Sequence, residues 1–308
     1  MKVINFYRSM PKILVTVDVN PPRGGDIRGL ISKIGDFEVD WVNVTDNSGA
    51  SVRADSVATA YLLKEATGID AIPHITCRDT NRMGLQSRLL GAWMLGLDNI
   101  LTMTGDRVRP EDHEIGVKGI FDVNSIGLIE LTQSLNQGVG YNKKKLEDRT
   151  SFCIGATVDP NVENPRAEAW QLKKKLEAGA EFILTQPVFS RTALQRFWGT
   201  VEELYASSGE TFPDLPIFWG VILPRSYEWA ERMRSGQIHI PGIEIPDEVV
   251  ARLKGGDAKE GVRIVREVIE ELVEDGIRCF YIIPMGKYEV VPEIIEGIFS
   301  ASRARGLS

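Results

Sequence analysis

The stretch SFCIGATVDPNVENPRAEAWQLKKKLEAGAEFILTQP, residues 151–187, decides the fold. It opens on an almost unbroken apolar run, Phe152-Cys153-Ile154-Gly155-Ala156-Thr157-Val158, and closes on another, Phe182-Ile183-Leu184-Thr185-Gln186-Pro187. Short runs of this kind are the mark of parallel strands covered on both faces. Between them Leu172 and Leu176 recur at helical spacing, and Gly179 follows where a helix would stop. The segment reads strand, helix, strand, the unit that parallel neighbours require.

Working outward, the same unit repeats. Strands are predicted at 12–19, 39–45, 70–76, 98–104, 151–158, 181–187, 216–222 and 278–284. The clearest helix is predicted over 258–275, where Ile264/Val265, Val268/Ile269 and Leu272/Val273 form one stripe and Gly276 ends it. Val57/Ala58 and Tyr61/Leu62 repeat the pattern before Gly68. Eight strand-then-helix units predict a (β/α)8 TIM barrel, since a doubly wound open sheet has about five or six strands. No Gly/Ser- or Pro-rich linker divides the chain, so residues 1–308 are expected to form one domain. Residues 107–121 read as a long loop after strand four, and 234–257 as a second irregular insertion.

Composition removes several function classes. Against 43 Asp+Glu stand 36 Lys+Arg, a net charge of −7, which argues against a nucleic-acid partner. Cys77, Cys153 and Cys279 lie far apart with no CxxC pair and no zinc-type spacing, so no metal site is expected and a reduced compartment fits. Residues 1–12 lack a signal-peptide core, and no run approaches a membrane span; a cytoplasmic protein off the membrane is expected. GxGxxG after the first strand, GxxxxGK[ST], HExxH and GxSxG are all missing, which disfavours Rossmann dehydrogenases, P-loop NTPases, zinc proteases and α/β-hydrolases. Trp93 and Trp229 mark either an oligomer interface or core.

Active sites of such barrels lie at the carboxyl ends of the strands, and here those ends are polar. They carry Asp18, Thr45-Asp46, His74 with Thr76, Thr104-Gly105-Asp106, Thr157 with Asp159, Thr185-Gln186, and Lys287. Each residue also has a plain structural reading: Asp18 as a turn cap, His74 as a satisfied core residue, Gly105-Asp106 as a turn, and Lys173-Lys174-Lys175 as a solvated helix face. A ring of buried polar groups implies a dense internal network or a ligand, because each one left unpaired costs about 1–3 kcal/mol. Carboxyls at strands one and four can serve as proton donor and electrostatic tuner if burial shifts one of them upward.

Taken in order, Val17-Asp18-Val19-Asn20-Pro21-Pro22-Arg23, Pro73-His74-Ile75-Thr76-Cys77, Thr104-Gly105-Asp106, Leu172-Lys173-Lys174-Lys175-Leu176-Glu177-Ala178-Gly179-Ala180 and Leu184-Thr185-Gln186-Pro187 resemble methylenetetrahydrofolate reductases, with matching motifs from about residue 13 to about residue 290. The resemblance implies FAD as cofactor, NADPH or NADH as co-substrate, and ping-pong transfer of hydride to methylenetetrahydrofolate. It gives Asp18 the place of the family's acid, which is ordinarily a glutamate and one methylene longer, and Asp106 that of the aspartate beside flavin and pterin. It gives cofactor contacts to Thr45, Asp46, His74, Thr104, Gly105, Asp106, Thr157, Glu168, Gln171, Lys174 and Lys175, and substrate contacts to Gln186 and Lys287. Two positions depart from the common pattern. Asp46 stands where many members have an aromatic residue, and Thr104 where many have arginine before the Gly-Asp turn. Both departures resemble a branch that works with an accessory iron–sulfur or zinc subunit, which leaves such a partner protein as an alternative source of electrons; a homo-oligomer is a separate possibility.

Overall fold

The apolar runs become the strands. The computed structural model describes residues 1–304 apart from 11, 190, 239–241, 244 and 258, and of 301–304 only the backbone. Strands β1 (Leu14–Val19), β2 (Trp41–Val44), β3 (Asp70–Thr76), β4 (Asn99–Met103), β5 (Cys153–Val158), β6 (Phe182–Pro187), β7 (Ile217–Ile222) and β8 (Cys279–Ile283) each lie within a predicted run. All pair in parallel with their sequence neighbours, and β8 pairs with β1, so the sheet closes into a barrel. This is the (β/α)8 architecture.

The helices in chain order are α1 (Val3–Ser9), α2 (Arg28–Ile34), α3 (Ser56–Thr67), α4 (Arg82–Met94), α5 (Pro110–Glu114), α6 (Ser125–Asn136), α7 (Pro165–Glu177), α8 (Arg191–Ser207), α9 (Tyr227–Arg234), α10 (Asp247–Gly255), α11 (Glu260–Glu274) and α12 (Val291–Ala304). Local chemistry sets where several begin. Asp55, Asn81, Asn124 and Asn164 each accept a backbone N–H from the first turn of α3, α4, α6 and α7, the preferred way to satisfy the free donors of a helix start. Gly68, at φ 73°, ends α3 in a conformation that glycine adopts without strain. Among the described residues no helix is long and apolar enough to cross a membrane.

Two expectations need correction. Residues 107–121 are not all loop, because Pro110 starts the short helix α5. The insertion 234–257 carries α10, and its residues 239–241 and 244 lie outside the described ones, as does Ala258 at the predicted start of α11. The N-terminal helix α1 was not anticipated; it has only seven residues and no side-chain cap. It closes the amino end of the barrel: Val3 N–H donates to Asn99 Oδ1 at 2.8 Å, and Phe6 packs edge-on to Trp41 at 5.3 Å. Trp41 in turn packs edge-on to Phe218 at 6.0 Å inside the barrel. Trp229 is buried and Trp93 packs on Phe152, so both tryptophans serve the core.

Alternation along each strand sends every second side chain inward, and size is matched across neighbours. Gly155 and Phe182 are register partners on β5 and β6, and a Cβ at residue 155 would lie 2.2 Å from the Phe182 ring. Overpacking of this kind costs about 1–3 kcal/mol. Gly155→Ala is expected to lower the unfolding free energy by that amount, read as a lower urea midpoint with an unchanged slope; an unchanged midpoint would mean that the Phe182 ring does not fill the barrel here.

Candidate active site

Asp18 is the last inward-facing position of β1 and is buried, with 7% of its surface exposed. Tyr281 lies on the neighbouring strand β8, and its hydroxyl donates to Asp18 Oδ1 at 2.5 Å. Burial pushes the Asp18 carboxyl up to about 6, against the Tyr281 hydrogen bond and the charge of Arg53, which both pull it down. The Tyr281 phenol is itself driven well above its ordinary value by burial and by the neighbouring carboxyl, so it remains a hydrogen-bond donor. Nothing in the sequence singles out Tyr281, since a tyrosine within CFYII reads as one more strand residue.

Around this pair the strand ends are tied together. Asn20 Oδ1 accepts from Thr45 and Ser48, and the Asn20 N–H donates to Tyr288 beyond β8. Deeper in the barrel, Asn43 donates to Thr16 at 2.5 Å, and His74 Nε2 lies 3.2 Å from Asn43 Oδ1. The buried Nδ1 of His74 has no hydrogen-bond partner, and burial lowers this imidazole to about 4, so it is neutral near pH 7. Asp46 is used otherwise. Its oxygens take Arg88 at 2.9 and 3.0 Å and the Thr76 N–H and hydroxyl, both at 2.9 Å. Arg88 also donates to Ser56, whose hydroxyl holds the His74 carbonyl. Among the expected cofactor contacts, Asp46 is thus engaged as a brace between β2, β3 and α4.

Asp106 is half-buried and accepts the Gly49 N–H at 2.7 Å, which fastens the end of β4 to the loop after β2. Arg109 reinforces this by donating to the Gly49 carbonyl. Gly105, at φ 91°, passes so close to Thr76 that a Cβ would meet it at 2.9 Å. Thr104 is exposed, and its hydroxyl accepts the Ser125 N–H at the start of α6. Beside these residues opens a cavity of about 540 Å³ lined by Thr104, Gly105, Arg107, Phe121, Asp122, Val123 and Asn124.

The lysine run is not a solvated face. Lys173 is buried against Glu210 and the rings of Trp170 and Tyr205, and Lys175 donates to the Thr157 carbonyl at 2.7 Å with Glu168 at 3.8 Å. Burial lowers the Lys175 amine, with Glu168 opposing. Lys174 and Gln171 are exposed on α7. Gln186 stands at an irregularity in the β6–β7 pairing, a device that re-aims side chains at barrel rims. The insertion reaches over it, so that a Cβ on Gly242 would lie 2.8 Å from Gln186 and 2.6 Å from Asp159. Lys287 is exposed and pairs with Glu289 at 3.6 Å. The structure therefore brings Asp18, Thr45, His74, Asp106, Thr157 and Gln186 to one mouth, with Lys287 at its outer edge.

Two outcomes follow from burial. Removing Arg88 leaves the Asp46 charge without its partner, so Arg88→Met is expected to cost about 3–5 kcal/mol in urea unfolding. For Asp18, the folded value of about 6 stands above the ordinary 3.8. The folded chain then binds the extra proton between those values, so its stability falls as pH rises from about 4 to about 6 and stays lower above. Asp18→Asn is expected to remove that cost, worth roughly 3 kcal/mol at pH 8 and nearly nothing at pH 4. An equal effect on the melting temperature at both pH values would refute the raised carboxyl.

A family model for methylenetetrahydrofolate reductase matches residues 5–298. The chain is 24% identical over 291 residues to 5,10-methylenetetrahydrofolate reductase of Salmonella typhimurium, covering 91% of this chain and 88% of that one. It is 26% identical over 246 residues to methylenetetrahydrofolate reductase 2 of Schizosaccharomyces pombe, covering 77% of this chain and 35% of the yeast protein. Among solved structures, an uncharacterized Clostridium thermocellum protein that binds two copies of 5-methyl-5,6,7,8-tetrahydrofolic acid superposes with a TM-score of 0.65 at 15% identity, over 96% of this chain and 98% of that one. That likeness is one of fold. With the family model matching almost end to end, this chain belongs to the methylenetetrahydrofolate reductase family.

Proposed function

We propose that this protein reduces methylenetetrahydrofolate to methyltetrahydrofolate, using FAD reduced by NADPH or NADH in a ping-pong cycle. The observation that carries the reading is Asp18, a dry carboxyl that still holds a proton near pH 6 at the carboxyl end of β1. Opening the folate's five-membered ring needs a proton on the departing nitrogen, and general acids work best when their pKa lies near the working pH. The fold neighbour that binds methyltetrahydrofolate speaks for the same substrate class.

The site fits a flavin in part. In favour are the buried, unpartnered Nδ1 of His74, the side-chain-free approach at Gly105 and the cavity beside it. Gln171 and Lys174 are exposed and available to a diphosphate, whereas Asp46 and Lys175 are already engaged within the chain. Bound FAD would supply acceptance of hydride from nicotinamide and, in a separate half-reaction, its release to the folate. The chain's own part is to hold the folate by Gln186 and Lys287, to protonate it from Asp18 and to set a negative carboxylate, Asp106, near the iminium that ring opening creates.

Anaerobic visible spectroscopy tests this. Flavin that bleaches with nicotinamide and regains colour with methylenetetrahydrofolate is the expected outcome. Asp18→Ala is expected to leave the first change intact and slow the second by at least about 100-fold. Equal loss of both would remove the acid role. Asp106→Asn and Gln186→Ala should each slow folate reduction, and full activity in both variants would count against this site. Flavin that stays oxidised with either nicotinamide but is bleached by methyltetrahydrofolate would move the electron source to an iron–sulfur or zinc partner.

A further inference from the structure

The Asp18 carboxyl lies one methylene closer to its strand than a glutamate's would, and what stands there is a tyrosine. Thr16 on β1 is the register partner of Tyr281 on β8. Asp18 lies two residues further on, on the same face, so it and Tyr281 form a diagonal cross-strand pair. With strands about 4.8 Å apart and a rise of about 3.3 Å per residue, such a pair is about 8 Å apart at the backbone, a span that a tyrosine bridges and a short acid then completes. The observed 2.5 Å contact is that bridge. A glutamate at the same position would carry its carboxyl one carbon–carbon bond, about 1.5 Å, further from the strand.

We propose that Tyr281 is a positioning residue for the acid Asp18, fixing which carboxyl oxygen carries the proton and stabilising the carboxylate once that proton has left. The proposal rests on the reading of Asp18 as the proton donor. A neutral tyrosine has a single O–H donor. With that donor spent on Oδ1, the acid proton sits on Oδ2, and it is Oδ2–H that breaks when the departing folate nitrogen takes the proton. Asp18 is left as a carboxylate, and Tyr281 keeps its own hydrogen. Its hydrogen bond to Oδ1 then becomes charge-assisted and stronger.

Other groups that face Asp18 are few and identifiable. Arg53, in the loop after β2, acts through its charge, and Tyr288, in the turn after β8, feels the Asp18 charge while its oxygen accepts the Asn20 N–H. Within this set Tyr281 is the group that hydrogen-bonds Asp18, with both side chains buried. Loss of this bond would remove one of the two influences that hold the carboxyl down, so the Asp18 value should rise.

The experiment is a titration of the full chain carrying 13C-carboxyl aspartate, with the Asp18 signal assigned from Asp18→Asn. The wild-type midpoint is expected near 6. In Tyr281→Phe it should move up by about one unit or more. In a chain with 3,5-difluorotyrosine at position 281, whose more acidic phenol donates more strongly, it should move down. In rapid-mixing measurements Tyr281→Phe should slow the folate half-reaction about 10–100-fold, carry its alkaline limb upward with the titration, and leave nicotinamide oxidation unchanged. If Tyr281→Phe fails to fold, the difluorotyrosine chain keeps the shape and carries the test. A midpoint unmoved by either replacement overturns the proposal, as does equal loss of both half-reactions with an unmoved limb. A wild-type chain that never reduces the folate would instead refute the functional reading, while the titration still reports on Tyr281.

Discussion

The sheet closes where β1 meets β8, and that closure is the constraint on which the site depends. Until those two strands pair, neither the barrel interior nor its mouth exists, and Asp18 and Tyr281 are 263 residues apart in the chain. Pairing along Leu14–Cys279 to Val17–Ile282 removes water from the inner face and forces each polar atom there to find a partner. Thr16, Asn43 and His74 answer by bonding one another across three adjacent strands. Asp18 answers by taking the Tyr281 hydroxyl. The same dehydration that holds the barrel together therefore raises its carboxyl to about 6.

A second tier of contacts holds the mouth in shape. Asp46 and Arg88 sit one layer outside the barrel lumen and fix the ends of β2 and β3 to α4. Asp106 ties the end of β4 back to Gly49 across the top of β3, and Tyr288 ties the turn after β8 to Asn20. Because these links run between neighbouring loops, the loops after β1, β2, β4 and β8 behave as one rim. Glu168 and Lys175 do the same on the far side, where both reach the end of β5.

Much of this was legible in the residues, for physical reasons that differ from place to place. The eight strands could be read because a doubly covered strand must be apolar along its whole length, and FCIGATV or IFWGVI can be little else. The mouth could be read because polar residues recur where seven of the eight apolar runs stop. Tyr281 could not, since alternation alone does not say which neighbour a side chain meets across a closing seam. Nor could the pairing of Asp46 with Arg88, which depends on a contact 42 residues apart. The lysine run misled because charge pattern on a helix says nothing of what packs above it, and Glu210 with two aromatic rings covers Lys173. Helix α1 escaped because seven residues without a cap leave little periodicity, and its stability comes from Asn99 and Trp41 rather than from its own sequence.

The two mouth acids differ in a way that composition cannot express. Asp18 is buried, which favours retention of a proton, while the hydrogen bond from the Tyr281 phenol partly opposes it. Asp106 is half-buried and accepts a backbone N–H from the loop after β2, so it serves as a tie between loops. The short side chain of an aspartate keeps the carboxyl close to β1, where the tyrosine of β8 reaches it. What the shorter side chain gives up is freedom: a buried carboxyl held by the tyrosine at 2.5 Å has little room to turn. Gln186, on the other side of the mouth, is set by different means, since it stands at the β6–β7 irregularity under the insertion that follows β7.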